Sequence, residues 1–292
     1  MNKMEKRGEL TSKQLITIII LIISFAIIIA FFIMLGIGSS IDKESCRNSV
    51  VMRGALPAGK DIISLKCKTQ DVCLSMGGDC GVTREDLVTV KVDGENELVE
   101  EMVNLLWDCW WMMGEGKVDY MSIGLGFNEA YCSFCSKVYF DSKIQENYPD
   151  GISYKKLYDY MEKNKVPNKD ETYMYNFYKL NSMDKVREEL LKGEWKVDIY
   201  DYKLDPMKEQ AVITAIVKQG WGGKALSAAS GILPGIGLGL LILNIPGAVA
   251  GGFIGFSIGL EEIDAEFYIP RYLEFDGKEL EALDCKEYVS EG

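Results

Sequence analysis

Two cysteines separated by two residues, Cys132 and Cys135, have the spacing of a redox or metal-binding motif. In a thiol-disulfide oxidoreductase, the first of these thiols is activated at a helix N-terminus that follows a strand. Here Tyr131 precedes the motif and Phe134 lies within it. A strand-like segment, Lys137–Asp141, follows it. This context predicts a structural disulfide, local or distant. Redox catalysis by Cys132 and Cys135 and a four-cysteine zinc site are the two alternatives.

The chain contains eight cysteines, and all of them follow a long apolar segment near the N-terminus. An even number of cysteines in an exported domain indicates disulfide bonds, whose pairing the sequence alone does not determine. The spacing of Cys67, Cys73 and Cys80 is a poor match to a zinc site, which usually contains two close pairs. The eight disulfide candidates are Cys46, Cys67, Cys73, Cys80, Cys109, Cys132, Cys135 and Cys285.

The composition argues against several classes of chemistry. No histidine is present, which excludes Ser-His-Asp and Cys-His catalysis and histidine metal ligands. The net charge of -12 argues against a nucleic-acid partner. The abundant carboxylates form no recognisable acid/base pair, and the glycines form no phosphate-binding loop. We therefore expect no catalytic residue, no metal and no cofactor.

An uncharged apolar segment, Leu15–Ile37, is long enough to cross a bilayer of ~30 Å. A cleaved signal peptide is the alternative, but its apolar region would be only about 7–15 residues long. Basic residues precede the segment, so we expect residues 1–14 to be cytoplasmic. The sequence thus predicts an uncleaved transmembrane anchor in the cell membrane, with the body of the protein extracytoplasmic.

The body, residues 38–224, has mixed strand-like and helix-like patterns, which favours an α+β class. The clearest helix is Glu95–Met113, with apolar residues at three- and four-residue spacing and Gly114 as its stop. We interpret Trp107, Trp110 and Trp111 near its end as core packing over a half-cystine rather than as a ligand site. Two further helices are predicted at Ser153–Lys163 and Ser182–Leu191. Strands are predicted at Val50–Leu56, Asp61–Thr69, Asp86–Val92, Trp195–Tyr200 and Ala211–Val217.

Glycine recurs at every fourth position in an uncharged segment, residues 225–260, with one interruption at Leu243. A four-residue step keeps these glycines near one helical face, as in small-residue packing of membrane helices. Pro246 follows the interruption and divides the segment into two arms, Ala225–Leu243 and Gly247–Leu260, which predicts a helical hairpin. The helix-packing candidates are Gly231, Gly235, Gly239, Gly247, Gly251, Gly255 and Gly259.

Three locations for this hairpin are open: inserted in or associated with the membrane, crossing it once, or buried in protein. The tail that follows, residues 261–292, carries eleven acidic and three basic residues. A single crossing would place this acidic tail in the cytoplasm, against the positive-inside tendency. A hairpin returns the tail to the outer side, where Cys285 could pair with a cysteine of the body.

Three resemblances accompany these patterns. Asp108–Met112, Gly114–Lys117 and the Cys132/Cys135 motif together resemble uncharacterised archaeal membrane-anchored proteins with a cysteine-rich outer domain. That resemblance spans roughly residues 7–141 and implies location and architecture only. Arg7-Gly8-Glu9-Leu10 resembles the processing signal of archaeal type IV pilin-like proteins, which are cut after the glycine, and residues 225–260 are similar to glycine-zipper membrane hairpins.

Together these observations predict a non-enzymatic cell-envelope protein that acts in surface assembly, adhesion or membrane remodelling. Its expected partners are membrane lipid and a second copy of the chain or another envelope protein. The alternatives are an exported thiol-disulfide oxidoreductase using Cys132 and Cys135 and a pilin-like filament subunit.

Overall fold

The computed structural model describes residues 16–25, 27, 37–55, 63–120, 130–192, 198–218, 257–259, 265–275 and 285–289. The chain divides into two compact units, Met1–Glu44 and Ser45–Gly292. In the first unit, helix α1 covers residues 16–25. Helix α2, Ile37–Ala55, begins in the first unit and ends in the second.

The second unit combines helices and strands in the mixed order that defines an α+β domain. Its further helices are α3 (Glu95–Met112), α4 (Ser142–Asn147), α5 (Tyr154–Lys163), α6 (Tyr173–Tyr178) and α7 (Asp184–Lys192). Its strands are β1 (Gln70–Ser75), β2 (Val88–Lys91), β3 (Ala130–Phe140), β4 (Ile152–Ser153), β5 (Lys203–Leu204), β6 (Gln210–Lys218), β7 (Ser257–Gly259), β8 (Ala265–Glu274) and β9 (Cys285–Val289).

Strand β3 is the centre of a seven-stranded mixed sheet. Six of its strands follow the order β2-β1-β3-β6-β8-β7, and the seventh, β9, also pairs with β3. Strand β6 runs antiparallel to β3 along one edge, from Ala130 to Val138. The other edge is shared by two parallel partners: β9 pairs with residues 130–133, and β1 pairs with residues 136–140. Strands β4 and β5 form a separate two-stranded sheet.

One face of the large sheet packs against α3, whose residues Leu98, Met102 and Leu106 are buried in the main core. Because these residues recur every four positions, they lie along one side of the helix. Gly114 follows the helix by two residues and has a φ of 83°. A Cβ at Gly114 would meet a Val118 methyl at 2.8 Å, so the chain turns there at a glycine.

The opposite face of the sheet carries a second, smaller apolar cluster. Its buried members come from β3, β6 and β8, and Phe275 packs edge-on against Phe134 at a centroid distance of 6.2 Å. An irregularity in β3 between Phe134 and Ser136 changes which residues face each side. Up to it, simple alternation places Cys135 in the main core and Cys132 and Phe134 in the second cluster. After it, Val138 and Phe140 face the main core.

A buried carboxylate connects the ends of two parallel strands. Asp141, directly after β3, accepts hydrogen bonds from the Ser75 hydroxyl at the end of β1 and from the backbone N–H groups of Gly78 and Ile144. It thereby caps α4 and fixes the turn after β1. A Cβ at Gly78 would meet the Asp141 carboxylate oxygen at 2.9 Å, so the close approach needs glycine.

Several predictions from the sequence are confirmed by these elements. The α+β class is correct, and the helix predicted at Glu95–Met113 is α3. The predicted helices Ser153–Lys163 and Ser182–Leu191 correspond to α5 and α7, within two residues at each end. The strand predicted at Ala211–Val217 is β6, and Asp86–Val92 contains β2.

Other predicted strands are wrong. Residues 50–55 of the segment Val50–Leu56 form the last turns of α2, where Val50 and Cys46 pack on the core at helical spacing. Residues 63–69 of Asp61–Thr69 are irregular, and the strand begins at Gln70. Residues 198–200 of Trp195–Tyr200 form a turn, and Asp198 of this turn pairs with Arg187 of α7.

The predicted glycine hairpin lies outside the described residues except at Ser257–Gly259. Those three residues form β7, which pairs antiparallel with β8, so the arm predicted as a helix over 247–260 does not extend through them. Gly259 pairs with Glu266 and is therefore a strand residue, not a helix-packing one. Strands β8 and β9 belong to the large sheet, so residues 265–275 and 285–289 are part of the domain rather than a separate tail.

Within the described residues, no helix combines the length and the apolar character needed to cross a membrane. Of the predicted anchor Leu15–Ile37, only residues 16–25, 27 and 37 are described, and all of them are helical. The predicted processing site at Gly8 lies outside the described residues.

We expect Asp141→Asn to lower the free energy of unfolding by about 2 kcal/mol, because the amide cannot replace a buried carboxylate that accepts three hydrogen bonds. Burial alone would raise the pKa of Asp141, but hydrogen bonds from Ile144, Gly78 and Ser75 lower it below 3.8. The stabilisation is therefore complete above about pH 4 and is lost as the pH falls through the lowered pKa. Urea unfolding at pH 7 measures the effect, with the exposed Asp150→Asn as the control. Equal stability of the two variants would contradict this role of Asp141.

Candidate functional site: a cation cluster at the end of the central helix

Four disulfides join all eight cysteines of the chain, as the predicted disulfide-rich domain requires. Two of them bind local segments: Cys46–Cys67 ties α2 to the chain before β1, and Cys73–Cys80 closes the turn after β1. The other two, Cys109–Cys135 and Cys132–Cys285, attach α3 and β9 to the central strand.

Cys132 and Cys135 are both bonded, but not to each other. Both lie within β3, and they belong to the apolar clusters on opposite faces of the sheet. Side chains on opposite faces of a strand point away from each other, so the two sulfurs have no path to a common bond. The pair is therefore structural, and its bonds are distant ones. Cys285 pairs with a cysteine of the body, Cys132.

The most unusual polar arrangement among the described residues lies just beyond the end of α3. There the Glu115 carboxylate is nearly enclosed and contacts three cations. Its Oε1 lies 3.2 Å from Arg47 of α2, and its Oε2 lies 2.8 Å from the Lys169 ammonium and 3.2 Å from the Lys117 ammonium. We call Arg47, Lys117, Lys169 and Lys179, arranged around Glu115, the cation cluster.

Aromatic rings position two of these cations. The Lys169 ammonium lies 4.6 Å from the centre of the Trp107 ring, and the Arg47 guanidinium lies 4.5 Å from that of Trp111. Arg47 also donates to the Trp111 carbonyl oxygen, and Lys169 donates to the Asn176 side chain at 3.4 Å. Cation–π contacts of this kind hold the charged groups against the protein surface.

The three tryptophans of α3 thus divide into two roles. Trp107 and Trp110 are buried and pack against Phe177 at ring-centroid distances of 5.8 and 6.2 Å, as the core-packing interpretation predicts. Trp111 is only half-buried and faces Arg47. No pattern in the sequence distinguishes Trp111 from the other two tryptophans.

The local electrostatics favour negative charge at this place. Burial alone would raise the pKa of Glu115, but hydrogen bonds from Lys169 and Lys117, together with their charges, lower it to about 2. Partial burial and the nearby charge of Lys117 lower the pKa of Lys179, and Lys169 adds to this effect. Four cations share the field of two carboxylates, Glu115 and Glu171, in a chain whose net charge is -12.

The backbone is also unusual here. Three non-glycine residues among those described have a positive φ: Glu115 at 57°, Asn168 at 62° and Lys179 at 56°. Two of them belong to the cation cluster, and the third immediately precedes Lys169. Left-handed conformations of such residues cost free energy and persist where the surroundings enforce them, often at functional sites. Their concentration in one place marks this cluster as the leading candidate site.

The cluster can bind an acidic group through its solvent-facing members, because Lys117 and Lys179 are exposed while Arg47 and Lys169 are partly buried. Sequence reasoning missed this site. The segment Gly114–Lys117 is one of the motifs that carry a resemblance. No pattern in the sequence connects it to Arg47, Lys169 or Lys179. Only the fold brings residues from four separate segments together.

No family model matches this chain, and neither a curated protein nor a solved structure is significantly similar to it. The resemblance to archaeal membrane-anchored proteins therefore stays a prediction.

We expect Glu115→Gln to lower the free energy of unfolding at pH 7 by about 2 kcal/mol, because the three cations that contact this carboxylate would lose its charge. Since the folded pKa lies near 2 and the ordinary value is 4.5, this stabilisation is present above pH 4.5. It is lost as the pH falls from 4.5 towards 2, so the variant and the natural protein should converge there.

Denaturant unfolding at pH 7 and at pH 3 measures this difference, with Glu146→Gln on the exposed side of α4 as the matched control. A Glu115→Gln variant as stable as the control at pH 7 would show that the cluster contributes no net attraction.

Proposed function

We propose that this protein is anchored in the cell membrane and carries its disulfide-rich domain outside the cytoplasm, where it acts by binding rather than by catalysis. Its role would be surface assembly, adhesion or membrane remodelling. The observation that carries the proposal is the pairing of all eight cysteines in disulfides.

The disulfides support an oxidising compartment. Glutathione and thioredoxin keep cytosolic thiols reduced, and proteins with several structural disulfides are typically secreted or face the cell surface. Two of the four bonds lie at the centre of the fold, at Cys132 and Cys135 of β3. A reducing compartment would therefore leave the central strand without its connections to α3 and β9.

The character of α1 supports the membrane anchor. Its apolar side chains are exposed on every side of the helix, with exposed fractions from 46% at Ile19 to 64% at Leu21. Residues 18–23 are all apolar and complete more than one and a half turns, so no polar face is left for water. The Ser24 hydroxyl donates to the Leu21 carbonyl at 3.0 Å, which satisfies it within the helix as a lipid environment requires.

The binding role rests on the cation cluster. An acidic group on a lipid, on another envelope protein or on a second copy of this acidic chain would be attracted to its exposed lysines. The glycine-rich segment 225–256 supplies a second candidate contact with membrane or oligomer, and this role stays a prediction. The oxidoreductase alternative needs Cys132 and Cys135 to bond to each other, whereas each of them bonds to a different partner.

Fractionation of cells that produce the full chain tests the anchor. The natural protein should stay in the membrane pellet after an alkaline carbonate wash. The double variant Ile19→Lys, Ile22→Lys should move to the soluble fraction, because each lysine at the centre of a spanning helix costs about 3 kcal/mol. The matched control, Ile19→Leu with Ile22→Leu, should remain in the pellet.

A membrane-impermeant amine reagent applied to intact cells tests the location of the domain. Its exposed lysines, including Lys117, should be labelled without lysis. A natural protein found in the soluble fraction would contradict the anchor, and labelling that requires lysis would contradict the extracytoplasmic location.

A further inference from the structure

Arg53, in the last turn of α2, is a buried cation with few partners. Only 8% of its surface is exposed. Its one hydrogen bond to another described residue runs from Nη1 to the Ile63 carbonyl at 3.4 Å, and its Nε is buried without a partner. Among the described residues, no carboxylate forms an ion pair with it. The guanidinium lies 5.9 Å from the centre of the Tyr131 ring, near the outer limit for a cation–π contact.

A buried hydroxyl lies on the sheet face to which Tyr131, the ring beside Arg53, belongs. Ser133 follows Tyr131 by two positions in β3, so both side chains lie on one face of the strand. The Ser133 hydroxyl is fully buried and forms no hydrogen bond of ordinary geometry. The Tyr120 ring packs edge-on against Tyr131 at 5.9 Å.

Tyr120 adds a third polar group to this region. Its side chain is buried, and burial raises its pKa, which the neighbouring Ser133 hydroxyl moderates. The two hydroxyls are thus neighbours, although Ser133 Oγ lacks the geometry of a full hydrogen bond. A guanidinium and two hydroxyl-bearing side chains are therefore neighbours of Tyr131, and every one of these groups can donate a hydrogen bond.

An unpaired charge in this environment needs an explanation. Buried arginines are normally paired, because removing the charge from water costs more than a single weak carbonyl contact returns. The carboxyl end of α2 offers partial negative charge to Arg53, which lies in its last turn, but this effect is modest. Buried polar atoms without partners commonly mark the place of an ion or a water molecule.

Arg47, in the same helix, is paired with a carboxylate, as is usual for a partly buried arginine. It lies six residues earlier and contacts the Glu115 carboxylate at 3.2 Å. Six residues correspond to about 600° of helical rotation, so the two arginines leave α2 in different directions. Arg53 therefore cannot share the carboxylate of the cation cluster.

We propose that Arg53, with the hydroxyls of Ser133 and Tyr120, forms an internal binding site for one oxyanion group, either a carboxylate or a phosphate. The anion lies between the end of α2 and the first half of β3. It accepts a charge-assisted hydrogen bond from Arg53 Nε and neutral ones from the hydroxyls. This inference does not depend on the membrane anchor or on the cation cluster.

The full chain, solubilised in detergent, provides the test. After extensive dialysis it is titrated calorimetrically with sodium phosphate and, separately, with sodium acetate. A parallel sample is unfolded, and the anions that it releases are identified by ion chromatography. The first measurement detects an empty site, and the second detects an anion retained during purification.

We expect one anion per chain by one of the two measurements, and the preferred anion distinguishes a phosphate from a carboxylate ligand. Arg53→Met should weaken binding about tenfold or more, and Ser133→Ala about fivefold. Arg53→Lys keeps the charge and should retain part of the affinity. It also keeps the test decisive if Arg53→Met fails to fold.

Arg84→Met is the matched control, because Arg84 also lies 5.9 Å from a tyrosine ring but is paired with Asp71 at 3.2 Å. Its anion content and affinity should equal those of the natural protein. Absence of both titratable and released anion would overturn the proposal. Equal binding by the natural protein, Arg53→Lys and Ser133→Ala would overturn it as well.

Discussion

The pair of disulfides on strand β3 is the constraint on which the remaining structure depends. Cys135 attaches one face of this strand to α3, and Cys132 attaches the other face to β9. The bonds join residues separated by 26 and 153 positions. In the chain-entropy model, closing loops of those lengths stabilises the folded state by about 3.5 and about 5 kcal/mol. The longer bond attaches β9, which is distant in sequence, to the central strand.

Three charged groups in this domain differ in how far their neighbours compensate their charge. Asp141 is buried and satisfied by the Ser75 hydroxyl and backbone N–H groups, so it serves as a structural connector. Glu115 is surrounded by more cations than it can neutralise, which leaves a positive site on an acidic protein. Arg53 is the reverse case, a buried cation whose Nε has no partner. The last two leave positive charge unbalanced among the residues that the structure describes, and such charge favours a nearby anion.

The sequence predicts elements whose pattern is local. Helix α3 was predictable because its apolar residues repeat every three or four positions, and β6 because its β-branched residues form one short run. The segment Val50–Leu56 was wrongly predicted as a strand because of its β-branched residues. It continues a helix that begins at Ile37, and this helix packs on the core through Cys46 and Val50. The disulfide pairing and the cation cluster depend on long-range contacts between strands and loops, which no local pattern contains.

Disulfide mapping tests the central claim most directly. The full chain is alkylated without reduction, digested, and its linked peptides are sequenced by mass spectrometry. The account predicts one linkage between Cys109 and Cys135, another between Cys132 and Cys285, and no alkylated cysteine. A linkage between Cys132 and Cys135, or free thiols at these four positions in the folded protein, would contradict it.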